Sequence, residues 1–340
     1  MTRRERVFNM LSRRPVDRPA VQYLYTPVGF YEHGEKLNDL YERYPGDFGA
    51  FRRQPIPAPP ASSFDAEGRF YERKTDEWGV TQVYRVFGIM GHAVGFPVKT
   101  AADASDYRFP PYPEYIEDID LYRKMVWEAK KEYFVFGGGG GLLERLWLLR
   151  GYENAMMDLA DDTPGNSILL DRLAGYFRKQ VEAAVAAGAD GVSFGDDYGT
   201  QNGLMFSKDT FRRVLKPRLA YMMEPARKAN LHIHFHSCGY VMDLFDEFKD
   251  LGINSLWPQL PLYDMRVLKR ALDYYGFSLA IHTDRANIMT YGSPADVREA
   301  VMLENEIFKP KDGGAWFYIE ADTGFPFENM EALVEAVYSI

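Results

Sequence analysis

The chain has a single cysteine, Cys238, in 340 residues. That excludes an intramolecular disulfide and points to a reducing compartment, so a cytoplasmic protein is expected. No stretch approaches the roughly 20 apolar residues of a membrane span. The opening Met1-Thr-Arg-Arg-Glu-Arg6 leads into an amphipathic segment rather than the apolar core of a signal peptide. Basic residues are in the minority, 40 Lys+Arg against 49 Asp+Glu for a formal charge of −9. A general nucleic-acid or anionic-membrane binder needs a basic face, so neither partner is expected. No G-x-G-x-x-G lies between the first strand and the first helix, which removes support for a dinucleotide-binding sheet. What remains is a chain with 46% hydrophobic and 26% charged residues, enough to bury a full core. Its length fits one large α/β domain, or two sharing a core.

Residues 2–12 alternate charge with Val7, Phe8, Met10 and Leu11, predicting a short amphipathic helix. Residues 54–113 hold eight prolines, among them Pro55, Pro57, Pro59 and Pro60, and an alternating stretch at 69–86 interrupted by Asp76-Glu-Trp-Gly79. This reads as a loop and hairpin insertion in a single domain spanning 1–340, either a surface excursion or an aromatic lid. From residue 114 onward short apolar strands alternate with helices, one of which starts at Thr163-Pro164. Strands are expected near residues 20, 47, 133, 190, 232, 253, 278 and 315. Eight strands joined by helices predict a (β/α)8 barrel of the TIM type, with an open doubly wound sheet as the alternative.

The chemistry of such a barrel sits at the C-terminal ends of its strands. Five consecutive predicted ends are polar: Asp196-Asp197-Tyr198 with Gln201 beyond, His236-Ser237-Cys238-Gly239, Trp257-Pro258-Gln259, His282-Thr283-Asp284-Arg285, and Glu320-Ala321-Asp322. His236-x-Cys238 is the sharpest signal, because imidazole and thiolate at one strand end can share a Zn²⁺. His232 and His234 face the same side of that strand and are structural or supporting candidates. A zinc site needs a third protein ligand, and Glu320, Asp322, His282 and Asp197 are available. Glu320 is the first choice, since it is the last residue of an apolar run and can project into the barrel mouth. Gly137–Gly141 lacks the Gly-Lys-Ser/Thr ending of a P-loop and reads as close backbone approach at the mouth. Trp257 and Tyr240 could wall a substrate pocket.

Four segments resemble the uroporphyrinogen decarboxylase superfamily: RRERVFNMLSRRPVDRPAV, GADGVSFGDDYGTQNGLMFSKDTFRRVLKPRL, HFHSCGYV, and GSPADVREAV with FPFENMEALVEAV. The resemblance implies a (β/α)8 barrel. The true decarboxylases carry Arg-Gln-Ala-Gly-Arg after the first strand to hold porphyrin carboxylates. Here that place reads YLYTPVGFYEHG, with no arginine. The cobalamin-dependent methyltransferases of the superfamily are zinc enzymes with an H-x-C motif, which His236 and Cys238 match. Their thiol-methylating members have a second cysteine near the last strand, where this chain has Glu320-Ala-Asp322. A carboxylate makes zinc harder and better suited to an ether oxygen. The best resemblance is to the methyltransferase that begins O-demethylation of methoxylated aromatics. No D-x-H-x-x-G motif is present, so the corrinoid would arrive on a separate protein.

The expected function is therefore zinc-dependent methyl transfer from a small methoxylated substrate to the cob(I)alamin of a corrinoid protein. Asp197, Tyr198 or His282 would donate the proton, and Asp196, Gln201, Trp257 and Tyr240 would contact the substrate. Two alternatives come from other classes. One is a metal-free decarboxylase or lyase using Asp196 and Asp197. The other is a non-enzymatic protein that binds a corrinoid or its carrier, with a structural zinc. The oligomeric state is left open by the sequence.

Overall fold

The computed structural model describes residues 1–161 and 164–340, so the expected helix start at Thr163 lies outside the described residues. Seven strands form one parallel sheet: β1 (Val21–Leu24), β5 (Phe136–Gly140), β6 (Gly191–Gly195), β7 (His232–Ser237), β8 (Ser255–Pro258), β9 (Ser278–Ile281) and β10 (Ala315–Glu320). Their order is β1-β10-β9-β8-β7-β6-β5, every pairing parallel, with helices covering the outside. Strands buried on both faces read as unbroken apolar runs, and all six residues of β10 are buried. This is the expected (β/α)8-type barrel, built on seven hydrogen-bonded strands.

The strand expected at 47 is absent from the ladder. Asp47 Oδ2 accepts the Val21 N–H at 2.9 Å, while the Asp47 N–H donates to the Val21 carbonyl at 2.7 Å. A side chain that takes a strand's N–H competes with ladder formation. The segment still fills the space between β1 and β5, because the Phe48 ring stacks on Phe136 at 6.3 Å and lies 5.9 Å from Trp316. The strand expected at 133–136 begins only at Phe136, and the glycine run itself is β5. Glycine is required there by space: a Cβ on Gly139 would fall 2.5 Å from the Phe194 ring, and one on Gly140 2.2 Å from Phe177. Two helices follow β5, Leu142–Arg150 and Tyr152–Asp161, broken at Gly151 with φ 84°.

The insertion forms an antiparallel sheet of β2 (Glu72–Thr75), β3 (Thr81–Tyr84) and β4 (His92–Gly95). Its first turn is tied by Asp76 Oδ1, which accepts the Trp78 and Val80 N–H groups at 3.0 and 2.8 Å. Trp78 is buried against Tyr176 on the outer helix Pro164–Ala187, at 5.1 Å between ring centroids. Arg145 covers its ring at 4.2 Å.

Inside the barrel, period-2 alternation sends His232, His234 and His236 to one side of β7. His232 Nε2 and His234 Nδ1 both lie 2.8 Å from Ser255 Oγ. Burial pushes both rings down to about 3, so they stay neutral. They form the packed middle of the barrel, below the mouth.

Candidate metal centre at the barrel mouth

Three side chains converge at the C-terminal ends of β6 and β7. A ligand atom from each of Asp197, His236 and Cys238 lies within 4.8 Å of the other two. His236 Nε2 is 3.6 Å from Cys238 Sγ and 3.5 Å from Asp197 Oδ1. A tetrahedral Zn²⁺ with its usual bond lengths separates such ligand atoms by about 3.3–3.6 Å. His236 is oriented for this role, since its Nδ1–H donates to the Trp257 carbonyl at 2.8 Å and leaves the Nε2 lone pair facing the cluster. The Trp257 ring backs the imidazole at 4.0 Å between centroids. Asp197 Oδ1 also accepts the Cys238 N–H at 2.8 Å, which locks the two strand ends together.

The electrostatics of this group favour a cation. Burial, with Asp197 adding to it, pushes the Cys238 thiol up to about 12. Burial also lowers His236, against the pull of Asp197. A thiol, an imidazole and a carboxylate held together without a positive charge are poised for a divalent ion, which stabilises thiolate and carboxylate at once. By donor set, spacing and second-layer orientation the residues fit zinc.

The uroporphyrinogen decarboxylase (URO-D) family matches residues 93–340, well over half of the chain. The chain belongs to this family. A methyltransferase from Methanosarcina mazei superposes with a TM-score of 0.63 over 100% of this chain and 99% of its own, at 16% identity, a likeness of fold. A dihydropteroate synthase from Anaplasma phagocytophilum reaches a TM-score of 0.38 at 13% identity, over 52% of this chain and 69% of that one, too little to carry an argument. No curated protein matches the chain. No helix among the described residues is long and apolar enough to cross a membrane.

Within the URO-D barrel the adjacent acids Asp196 and Asp197 do different things. Asp196 is 1% exposed and caps the helix Leu142–Arg150, accepting the Leu143 and Glu144 N–H groups at 2.7 Å each. Burial pushes its carboxyl up to about 7, with those N–H groups offsetting part of the effect. Tyr198 is fully buried and donates its hydroxyl to Asp196 at 2.9 Å. The structure thus places Asp196, expected to contact substrate, and Tyr198, expected to donate a proton, in the closed wall of the barrel.

Glu320 stands apart from the Asp197–His236–Cys238 group. Its Oε1 is held by Arg285 Nη1 at 2.6 Å and lies 3.6 Å from His282 Nε2. Arg285 reaches Asp322 as well, at 3.3 Å. Glu320 is thus taken up by Arg285, and the carboxylate that comes together with His236 and Cys238 is Asp197. His282 accepts the Trp257 indole N–H on Nδ1 at 3.2 Å, and burial followed by Arg285 pushes its ring down to about 3. Gln201, His282, Arg285 and Asp322 line a cavity of about 410 Å³ beside the cluster. Tyr240 stacks on Tyr263 at 4.9 Å, packed into the wall.

Two residues without a role in the sequence reading belong to the mouth. Arg285 is the counter-charge of Glu320; it follows His282-Thr-Asp at a strand end, a visible signal. Glu144 occupies the first turn after β5, half-buried, and burial followed by Asp196 and Asp197 pushes its carboxyl up to about 8. Its signal was position alone, three residues past the glycine run.

Proposed function

We propose that this URO-D family member is a zinc-dependent methyltransferase that takes a methyl group from a small methoxylated aromatic substrate and passes it to the cob(I)alamin of a separate corrinoid protein. The observation that carries this reading is the Asp197–His236–Cys238 group at the mouth of the barrel. Asp197, His236 and Cys238 would hold the ion, which when bound supplies a Lewis acid for an ether oxygen. Trp257 fixes the imidazole by its carbonyl and its ring. The cavity beside the cluster, with Gln201 and His282 in its wall, is the place for the substrate. Its size is in the range of pockets for small organic ligands. The Arg285–Glu320–Asp322 set closes one side and offers no unpaired cation for a polycarboxylate. The metal-free decarboxylase alternative loses force, because Asp196 is committed to a helix cap. A cytoplasmic location suits the free thiol of Cys238.

The test is direct. Purified protein should carry close to one zinc per chain and methylate free cob(I)alamin from a methoxylated aromatic, followed by the visible spectrum of the corrinoid. Full activity in metal-free protein would overturn the reading.

A further inference from the structure

A second cavity, of about 480 Å³, lies at the bottom of the barrel, at the other end from the metal group. It reaches His232, the first residue of β7, whereas His236 stands near the far end of that strand. The helix Arg3–Leu11 lines it with Phe8 and Leu11, and Phe134 adds a further apolar wall. Phe8 is 50% exposed, apolar surface left open on the rim. Arg227, near the end of the helix Lys216–Lys228, brings a charge to the same cavity. Its stem packs over Gly252, where a Cβ would lie 3.3 Å from Arg227 Cδ and 3.4 Å from Cγ. Gly252 has φ 83°, so backbone and packing both ask for glycine at the place that seats this arginine.

The Arg227 guanidinium has no hydrogen bond or ion pair among the described residues, and the acids around it are taken. Asp190, in the cavity wall, accepts Arg4 twice, at 2.5 and 2.7 Å, Lys130 at 2.9 Å and the Val135 N–H at 3.0 Å. Glu224, one turn before Arg227, is bonded to Arg178 at 2.8 Å and Lys228 at 2.7 Å. The cavity therefore holds a cation without a counter-charge, in a chain whose formal charge is −9. The His232 ring is set edge-on to Phe134 and Phe136 at 6.3 and 6.0 Å, with its Nε2 2.8 Å from Ser255 Oγ. Its Nδ1 has no hydrogen-bond partner among the described residues, a second polar group left to be met. We propose that this cavity binds a small organic carboxylate, its charge paired with Arg227 and its apolar body laid against Phe8, Leu11 and Phe134. The forked donors of a guanidinium match a carboxylate, and the volume is in the range of pockets for small organic ligands. A bare inorganic anion would leave the apolar wall in water. The site is independent of the methyl-transfer reading.

The probe is 4-fluorobenzoate, whose fluorine NMR line is followed as the full-length protein is added. It should bind with a dissociation constant below about 1 mM. Arg227→Met keeps the apolar stem over Gly252 and should weaken binding at least about tenfold, the worth of a charge-assisted hydrogen-bonded pair. Arg227→Lys, which keeps the charge without the fork, should recover part of that loss. The neutral 4-fluorobenzyl alcohol should bind at least about tenfold more weakly than the acid. The thermal midpoint and metal content of Arg227→Met should match wild type, so that the loss reads the contact and not the fold. No binding by about 10 mM probe overturns the proposal. So does equal binding by Arg227→Met, which would place the probe elsewhere, as in the cavity at the mouth, and so does equal binding of the alcohol. Inorganic phosphate displacing the probe as well as unlabelled benzoate does would show a site indifferent to the apolar body, and would overturn the assignment to an organic acid.

Discussion

The two ends of the barrel are both rich in buried charge, and they use it in opposite ways. At the bottom, Asp47 has no exposed side-chain surface and is met by Arg6 and Arg18 at 2.7 Å each. Arg6 also binds Asp17 and holds that carboxyl well below the usual range. Asp190 accepts Arg4 and Lys130; burial raises its carboxyl, and the two cations with the Val135 N–H more than reverse that. At the mouth Arg285 pairs with Glu320 and Asp322, while among the described residues no Lys or Arg forms an ion pair with Glu144, Asp196 or Asp197, and burial pushes the acids Glu144, Asp196 and Glu320 up. Acids with matched cations hold a fold together. Acids gathered without them hold a site open for something positive.

The sharpest way to break this comparison is Cys238→Ala. It should abolish zinc binding and lower methyl transfer by at least about 100-fold, while the thermal midpoint of the metal-free protein stays within a few degrees, because a mouth residue outside the packed core is changed. Metal analysis and calorimetry on the same preparation check both halves. Asp47→Ala should do the reverse. Removing one member of a buried charge network costs about 3–5 kcal/mol, so denaturant unfolding should shift strongly while zinc stoichiometry in the folded fraction is kept.

Asp196→Ala lies between the two. It removes a helix cap, worth about 0.5–2 kcal/mol, and releases the start of the Leu142–Arg150 helix on which Glu144 stands. Both stability and turnover should fall, with zinc retained; unchanged turnover would separate Asp196 from the site altogether.

The smallest effect concerns Glu304, on the helix Pro294–Phe308 beside the mouth. It is 4% exposed and bonded to Thr283 Oγ1 at 2.8 Å. Burial pushes its carboxyl up to about 8. A raised acid stabilises the fold fully below the ordinary glutamate pKa, about 4.3. That contribution declines as the pH rises, because the unfolded chain ionises first, and it is gone above the folded-state value. Glu304→Gln should therefore gain on wild type in thermal midpoint between pH 5 and pH 8, by a few degrees at most. A midpoint difference independent of pH would show that Glu304 is not held protonated.

The barrel was legible because its strands are short apolar runs between helical stretches, and β6 to β10 lie where the runs lie. The strand expected at 47 was not legible as a failure. Only the meeting of Asp47 with the Val21 backbone, brought together by the fold, turns that segment into a bridge. His236 and Cys238 could be read as a pair, since two residues of one strand share a face by local geometry alone.

The third member of the group depended on distance. In the sequence Glu320, Asp322, His282 and Asp197 all stand at strand ends, and Glu320 is preferred only because it closes an apolar run. Local chain geometry determines that each of them reaches the mouth of the barrel. It does not determine which ones touch, because strand neighbours and their register are set by pairing between segments far apart in the chain. That pairing gives Glu320 to Arg285 and brings Asp197 to His236, since β6 lies beside β7 with Gly195 level with His236. The same register turns Asp196 inward as a cap and leaves the Glu144 carboxyl without a hydrogen-bond partner among the described residues, so which carboxyl group meets which neighbour belongs to the tertiary structure alone.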